Sequence, residues 1–533
     1  MSTFVVAPIL TALFTAVTAL LLHRRTRLQT AASLAGTVAY AAAVGVLAWR
    51  VALAPDPVGA TTYQVGGWPA PFGITLVADA LAAFMLVMVA TVGVASLVFS
   101  TRYVEAPEEK RFYHPLFHFL LVGVSGAFLT GDVFNLFVWF EVMLMASYVF
   151  VVFYGGPQHT RAALRYVALN LVGSALMLLA VGGLYATTGT LNMADMSRRL
   201  AEPAAYGISV EPVVGLSALL LSVFALKAGL VPFQFWVPSA YRAAPLPVTA
   251  MLAGATKKVG IYALVRLYFT VFAAAELPVS LPLPGVDGGS PLAFFAPALF
   301  LMAVASVVVG GFGAVDADSF EGVLAYSSIG QIGFIAIPVA IGAAASSPAL
   351  RRLGVLAGLV YALNHALAKG TLFLTAAATR SAVGTSRLED LGGLASRSPL
   401  LGSVFLVGAL ALVGIPPLSG FFGKFLAFDV AVRAEAAVAV AVLLLGTGLT
   451  IAYTTRAWNR AFWGQQSAAV GAADVDPVQA AVLVGLALTI VAVGVGFDPV
   501  YEFAEAAARA ATDRGAYVDA VDPADVETGG ESA

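Results

Sequence analysis

Fourteen stretches of roughly 20 predominantly apolar residues run through this chain, each long enough to cross a bilayer as a helix. They lie at about 4–22, 31–53, 74–100, 114–130, 132–153, 162–186, 212–234, 246–272, 291–312, 321–342, 353–378, 399–427, 431–455 and 477–497. In lipid every backbone polar group must find its partner within the protein, so such stretches can only be helices. The connections between them are short, which predicts one all-α polytopic bundle. Only 11% of the 533 residues are charged and 60% are hydrophobic. Soluble domains carry roughly 25% charged residues, so most of this chain faces lipid or other apolar helices.

The same composition closes off several functions. A net charge of −2 gives no electrostatic case for a nucleic-acid partner. The absence of cysteine excludes disulfides, thiolate-held iron–sulfur clusters and thiol chemistry. No dinucleotide fingerprint, phosphate-binding loop or H-E-x-x-H motif is present, and no group of metal ligands stands out. The N-terminus is apolar from Phe4, with Arg24, Arg25 and Arg27 after the apolar run and no basic segment before it. That order predicts a retained first span instead of a cleaved signal peptide. Lys and Arg are more numerous on the side reached by odd-numbered spans, which therefore faces the cytoplasm and places both termini outside.

"FALKAGLVPFQFW", residues 224–236, sets Lys227 inside an apolar run just before a Gly/Pro interruption. A lysine at the centre of a spanning helix costs at least ~2.5–3.5 kcal/mol on insertion scales. Few other ionisable residues lie deep in a span: Glu141, Lys257, Lys258, His365, Lys369 and Lys424. Each has a structural alternative, since a lysine near a helix end snorkels and a buried acid can serve one ion pair. Their recurrence favours a pathway. Glu141, in "FVWFEVMLMASYVF", has too short a stem to snorkel and needs a cation or a proton, with Lys227 the natural partner. His365 and Lys369 are four apart and share a helix face. For His365 the alternative is a hydrogen bond to Asn364 or a backbone carbonyl. Lys257 and Lys258 point about 100° apart, so only one of them suits a given path.

"GIPPLSGFFGKF" places Lys424 just after a second interruption. Two broken helices in corresponding halves are the sequence mark of an inverted-repeat transporter. Spans 4–8 and 9–13 form the expected five-helix repeats, with helices 7 and 12 broken. An odd number of helices makes the second copy enter the membrane from the opposite side. The corresponding organisation is a three-helix segment at 1–112, a first repeat at 113–272, a second at 273–455, a last span within 456–500, and a short surface helix with an acidic tail at 501–533.

"WFEVMLMASY", "LKAGLVPFQFWVPSAYRAAPLPVTAMLAGATKKVGIYALVR", "LAYSSIGQIGF", "NHALAKGTLFL" and "GIPPLSGFFGKF" together resemble the proton-translocating antiporter-like family, over residues 75–460. That family holds the large membrane subunits of complex I and their homologues in Mrp multisubunit Na+/H+ antiporters. Within it, "TTYQVGGWPAPFGITLVADALAAFM" is similar to the D-type antiporter subunits. The resemblance implies a proton relay of Glu141, Lys227, Lys258, His365, Lys369 and Lys424, and gives Lys257 no counterpart. It implies a secondary transporter subunit in the cell membrane, with no cofactor. Its partners would be Na+, H+ and A-, B-, C-, E-, F- and G-type membrane subunits. A proton-pumping subunit of complex I (N-like) or of a membrane-bound hydrogenase is the alternative, and an inert scaffold a third. Gln331 stands where some relatives have histidine, which thins the relay near the tenth helix.

Overall fold

A computed structural model describes residues 2–276, 290–472 and 474–523. Six helices open the chain: α1 (Ala7–Leu21), α2 (Thr26–Ala48), α3 (Ala80–Ser100), α4 (Pro107–Leu129), α5 (Val133–Val151) and α6 (Gly156–Thr188). A small antiparallel hairpin, β1 (Thr61–Gln64) with β2 (Thr75–Ala78), separates α2 from α3. The short α7 (Met193–Ala201) leads to α8 (Glu211–Ala228) and α9 (Val237–Ala243), two pieces of one interrupted element. Next, α10 (Leu246–Met251) and α11 (Lys257–Val265) belong to one continuous helix, joined by a π-helical turn at Leu252–Thr256.

The chain continues with α12 (Pro291–Asp316), α13 (Phe320–Ala344), α14 (Pro348–Val383), a turn of α15 (Leu394–Arg397), an interrupted pair α16 (Pro399–Val413) and α17 (Ser419–Arg433), then α18 (Ala437–Ala457). Three helices close the chain: α19 (Pro477–Val495), α20 (Phe497–Thr512) and α21 (Arg514–Val521). Among the described residues, eleven helices are long and apolar enough to cross a membrane, and α1 and α16 are apolar but shorter.

Two local geometries occur twice. Asp132 caps α5 by accepting from the Asn135 N–H at 2.7 Å, and its backbone bridges to Asn192, just past the glycine that ends α6. Ser319 caps α13 from the Gly322 N–H at 3.1 Å, and its backbone bridges to Arg387, just past the glycine that ends α14. The interruptions match as well. α8 and α16 end on left-handed glycines, Gly229 (φ 70°) and Gly414 (φ 91°), each followed closely by a proline, Pro232 and Pro416. Glycine alone takes that conformation without a Cβ penalty. A Cβ at Gly229 would also come within 2.8 Å of the Val237 side chain, and one at Gly414 within 2.9 Å of Lys424 Cδ.

α14 lies at the centre, packed against α13, α16, α17, α10, α3, α19 and α20. α12 and α13 approach each other closely, so that a Cβ at Gly310 would sit 2.1 Å from the Gly330 nitrogen. Small residues let helix backbones approach this closely where no hydrophobic gain between helices is available. The sequence reading places some helix ends differently, most clearly at the second interruption. The stretch expected at 399–427 continues to Arg433, because Gly414 and the prolines after it interrupt the element without ending it. The helix expected on the surface near 501 is amphipathic: Phe503, Ala504, Ala507, Ala508 and Ala511 are buried, and the helix docks on α3 and α14. Residues 524–533 of the acidic tail lie outside the described residues.

Candidate functional site

Five of the chain's six lysines lie within the bundle, at 227, 257, 258, 369 and 424, each at most 5% exposed. They fall into three clusters. The first joins α5, α6 and α8. Ser174 donates its hydroxyl to Glu141 Oε1 in a very close contact, and Lys227 Nζ donates to Ser174 Oγ at 3.4 Å. No Glu141–Lys227 ion pair forms among the described residues, so the expected partnership runs through a hydroxyl. Lys227 occupies the last turn of α8, where the partial negative charge of a helix C-terminus favours a cation. It also lies over the Phe140 ring at 5.7 Å. The broken backbone is satisfied by side chains. Trp236 Nε1 donates to the Leu226 carbonyl at 2.9 Å, and the Val231 N–H donates to Ser306 Oγ at 2.9 Å. Interrupted helices persist at membrane depth only when their freed groups are paired in this way.

The second cluster joins the two parts of the chain. Across the π turn, the Lys257 N–H reaches back to the Leu252 carbonyl instead of that of Ala253. The Ala253 carbonyl accepts Lys258 Nζ at 2.5 Å, and the same ammonium meets His365 Nδ1 at 2.5 Å. π turns recur at functional sites for this reason, since they reorient side chains and release carbonyls. With Nδ1 accepting from lysine, the neutral His365 ring carries its proton on Nε2, which is buried and has no partner among the described residues. One turn on, Lys369 Nζ donates to the Leu324 carbonyl at 2.9 Å and, more closely, to Ser327 Oγ.

The sequence gives no reason to include Lys257, yet the structure brings it in. Its Nζ donates to the Ser328 carbonyl at 3.3 Å, and its side chain abuts Gly229 at the first interruption. The adjacent lysine pair is the available signal, but a regular helix would turn only one of the two inside. The wider π turn supplies room for both. Ser174 carries no signal at all, since nothing local distinguishes it from other helical serines.

The third cluster is Lys424, which donates to Thr447 Oγ1 on α18 at 3.1 Å and lies over the Phe334 ring at 4.7 Å. Among the described residues no hydrogen bond links it to Lys369, nor Lys227 to Lys258. Gln331, between α14 and α18, donates to Thr450 Oγ1 at 3.1 Å and to the Tyr453 hydroxyl at 2.9 Å, and accepts closely from Tyr361. Asn364 bonds to Ser419 and to the Ala411 carbonyl at the second interruption, so it is not a partner of His365. Asp79 is engaged elsewhere, capping α3 and pairing with Arg266 at 2.5 Å.

A bundle of apolar helices with two interrupted elements and titratable side chains buried between them has the architecture of a secondary transporter. The chain belongs to the NADH:quinone oxidoreductase/Mrp antiporter transmembrane family, whose pattern it matches over residues 130–284 and 289–450. It is 35% identical over 484 residues to the D subunit of the Na(+)/H(+) antiporter of Alkalihalophilus pseudofirmus, covering 90% of this chain and 92% of that one. A chain in the structure of the Mrp complex from Dietzia sp. DQ12-45-1b superposes with a TM-score of 0.84 at 28% identity, over 98% of this chain and 100% of that chain. A chain of the membrane-bound sulfane sulfur reductase, an archaeal respiratory membrane complex, gives 0.86 at 27% identity with the same coverage.

Proposed function

We propose that the chain is the proton-conducting subunit of a multisubunit Na+/H+ antiporter, working beside other Mrp-type membrane subunits. The observation that carries this reading is the Lys258–His365 contact, which joins the buried amines of the first interrupted region to those of the second. The likeness to a named antiporter subunit over nine-tenths of the chain supplies the ion pair Na+ and H+. In this reading Glu141, Lys227, Lys258, His365, Lys369 and Lys424 pass a proton laterally, with Ser174, Ser327 and Lys257 assisting. A proton arriving at Glu141 removes the carboxylate charge that Ser174 shares with Lys227, and so weakens the hold on the Lys227 cation. Lys258 releases a proton to His365 Nδ1, and the ring passes its Nε2 proton onward. Steps without a direct contact require polar groups or water within about 2.6–3.2 Å.

The doubled caps and interruptions support an inverted pair of five-helix repeats at 113–272 and 273–455, within fourteen spans. The bias of Lys and Arg supports a cell-membrane protein with both termini outside. A redox complex is the second reading, favoured by the likeness to the sulfane sulfur reductase chain.

Lys227→Ala tests the relay in a salt-sensitive host carrying the full subunit set. Removing a buried charge does not impede insertion, so normal membrane levels with abolished Na+-driven proton flux are expected. Normal salt resistance in this variant sinks the relay. Purification of the wild-type assembly with iron–sulfur subunits and oxidoreductase activity would move the chain to the redox reading.

A further inference from the structure

One buried titratable cluster lies outside the relay, between α2 and α4. Thr30, Ser33, Thr37 and Tyr40 fall on one face of α2 at helical spacing, and His114, His118 and Ser125 do the same on α4. Thr30 Oγ1 lies 3.3 Å from His114 Nε2, His114 Nδ1 lies 3.0 Å from Ser33 Oγ, and Ser33 Oγ lies 2.9 Å from His118 Nε2. Deeper in the seam the Tyr40 hydroxyl meets Ser125 Oγ at 2.8 Å. Ser33, His114 and His118 are buried, whereas Thr30 is partly exposed. His118 Nδ1 is buried with no partner among the described residues.

We propose that this seam is a second proton conduit, running inward from the surface where α2 and α4 begin, past the start of the apolar span, to His118. Ser33 has one O–H, so it donates to one imidazole and accepts from the other. A consistent chain is then Thr30 O–H to His114 Nε2, His114 Nδ1–H to Ser33, Ser33 O–H to His118 Nε2, and His118 Nδ1–H inward. A proton taken up at His114 Nε2 drives the Nδ1 proton onto Ser33 as the Ser33 proton moves to His118 Nε2. His118, now protonated on both nitrogens, releases the Nδ1 proton inward. The proton count of the chain is unchanged, but both imidazoles end with their proton on Nε2 instead of Nδ1, so tautomer exchange or ring reorientation must restore the starting chain before the next proton. His118 lies roughly 10 Å along α4 beyond Arg111, the last of the charged residues that open the helix, at ~1.5 Å per residue.

Glu108, Glu109, Lys110 and Arg111 open α4 and lie at the mouth of this path. Lys110 lies one turn before His114 on the same helix. Of the helices packed on α4, α1 and α3 carry no Asp, Glu, Lys, Arg or His, α2 carries only Arg27 in its first turn, α5 only Glu141, and α11 only Lys257 and Lys258. None of these hydrogen-bonds to the seam among the described residues. The competing role is polar adhesion between two helices. Glutamine separates the two roles. It can hydrogen-bond, but it cannot take a proton on one ring nitrogen and release it from another.

The proposal rests on the proton-conducting reading above, and the controls keep the two apart. Na+-driven proton flux is measured in everted vesicles carrying the whole complex, with rates normalised to inserted protein. His114→Gln and His118→Gln should each slow flux on the order of tenfold, less than the ~100-fold of a sole proton-transfer group because the relay remains. Half-saturation for Na+ should not change. Ser33→Ala should match them, and Ser33→Thr, which keeps the hydroxyl, should retain the rate. Full flux in both glutamine variants, with Lys227→Ala inactive, overturns the conduit and leaves adhesion. Full flux in Lys227→Ala as well overturns the relay reading, and the conduit with it.

Discussion

The regions around the two interruptions share a scaffold and differ in charge. Glu141 and Ser328 lie equally far beyond the caps Asp132 and Ser319. Ser174 and Lys369 lie equally far before the glycines that end α6 and α14. At matching positions the first region holds an acid and a serine in contact, whereas the second holds Ser328 and Lys369, whose ammonium bonds instead to the neighbouring Ser327. In the first, a carboxylate compensates the buried cation through one hydroxyl. In the second, Lys369 and Lys424 are held by serine and threonine hydroxyls, a carbonyl and an aromatic face, with no acid in contact among the described residues. A buried cation without a counter-ion is costly. The second region therefore leans on neutral dipoles where the first uses an opposite charge. Caps and left-handed glycines shape the backbone, and the charges are placed on it independently.

Removing the acid should have the largest effect, because it makes the first region resemble the second. Glu141→Gln keeps shape and hydrogen bonding, yet flux in everted vesicles should fall on the order of 100-fold, the scale of a lost proton-transfer group. Glu141→Asp should retain part of the activity, since Coulomb attraction falls gradually with distance. Equal activity of the two variants would reduce Glu141 to a packing residue and erase the contrast.

Smaller effects are expected from the hydroxyls. Ser174→Ala removes two charge-assisted hydrogen bonds and Ser327→Ala one, each worth about 1.5–3 kcal/mol. Part of that is recovered by water or rotamer change, so flux should fall several-fold in each. The decisive observation is the pair. If Ser174→Ala is harmless while Ser327→Ala is not, Glu141 and Lys227 communicate without the intervening hydroxyl.

Stability should change least and alike in both regions. Gly229→Ala and Gly414→Ala force a side chain into a left-handed conformation, costing roughly 1–2 kcal/mol before any clash. Thermal melting of the solubilised protein should show similar losses for both. A large loss at one glycine alone would show that the two interruptions are not structurally equivalent.

Much of the architecture is legible in the sequence because it rests on local chemistry. Apolar runs of bilayer length dictate helices, and Gly/Pro punctuation at 229–232 and 414–417 marks where two of them break. The expense of each buried charge singles out the lysines, Glu141 and His365. Three features of the site escape that reasoning. Ser174 is an ordinary residue until α5, α6 and α8 converge on it. Lys257 has no evident place because a regular helix turns adjacent residues away from each other. The histidine seam joins two helices whose separate sequences show only scattered polar residues.

The sequence by itself determined that this chain resides in a membrane, where its helices break and which of its residues are expensive to bury, since all three follow from short windows of residue chemistry. Only the tertiary structure decided which of those residues meet. Lys258 reaches His365 across 107 positions of chain, on a helix whose π turn rephases its side chains and frees a carbonyl. No short window encodes such a contact. It exists because burying every backbone polar group and packing every apolar face leaves that arrangement of helices, and the arrangement sets the distance between two nitrogens.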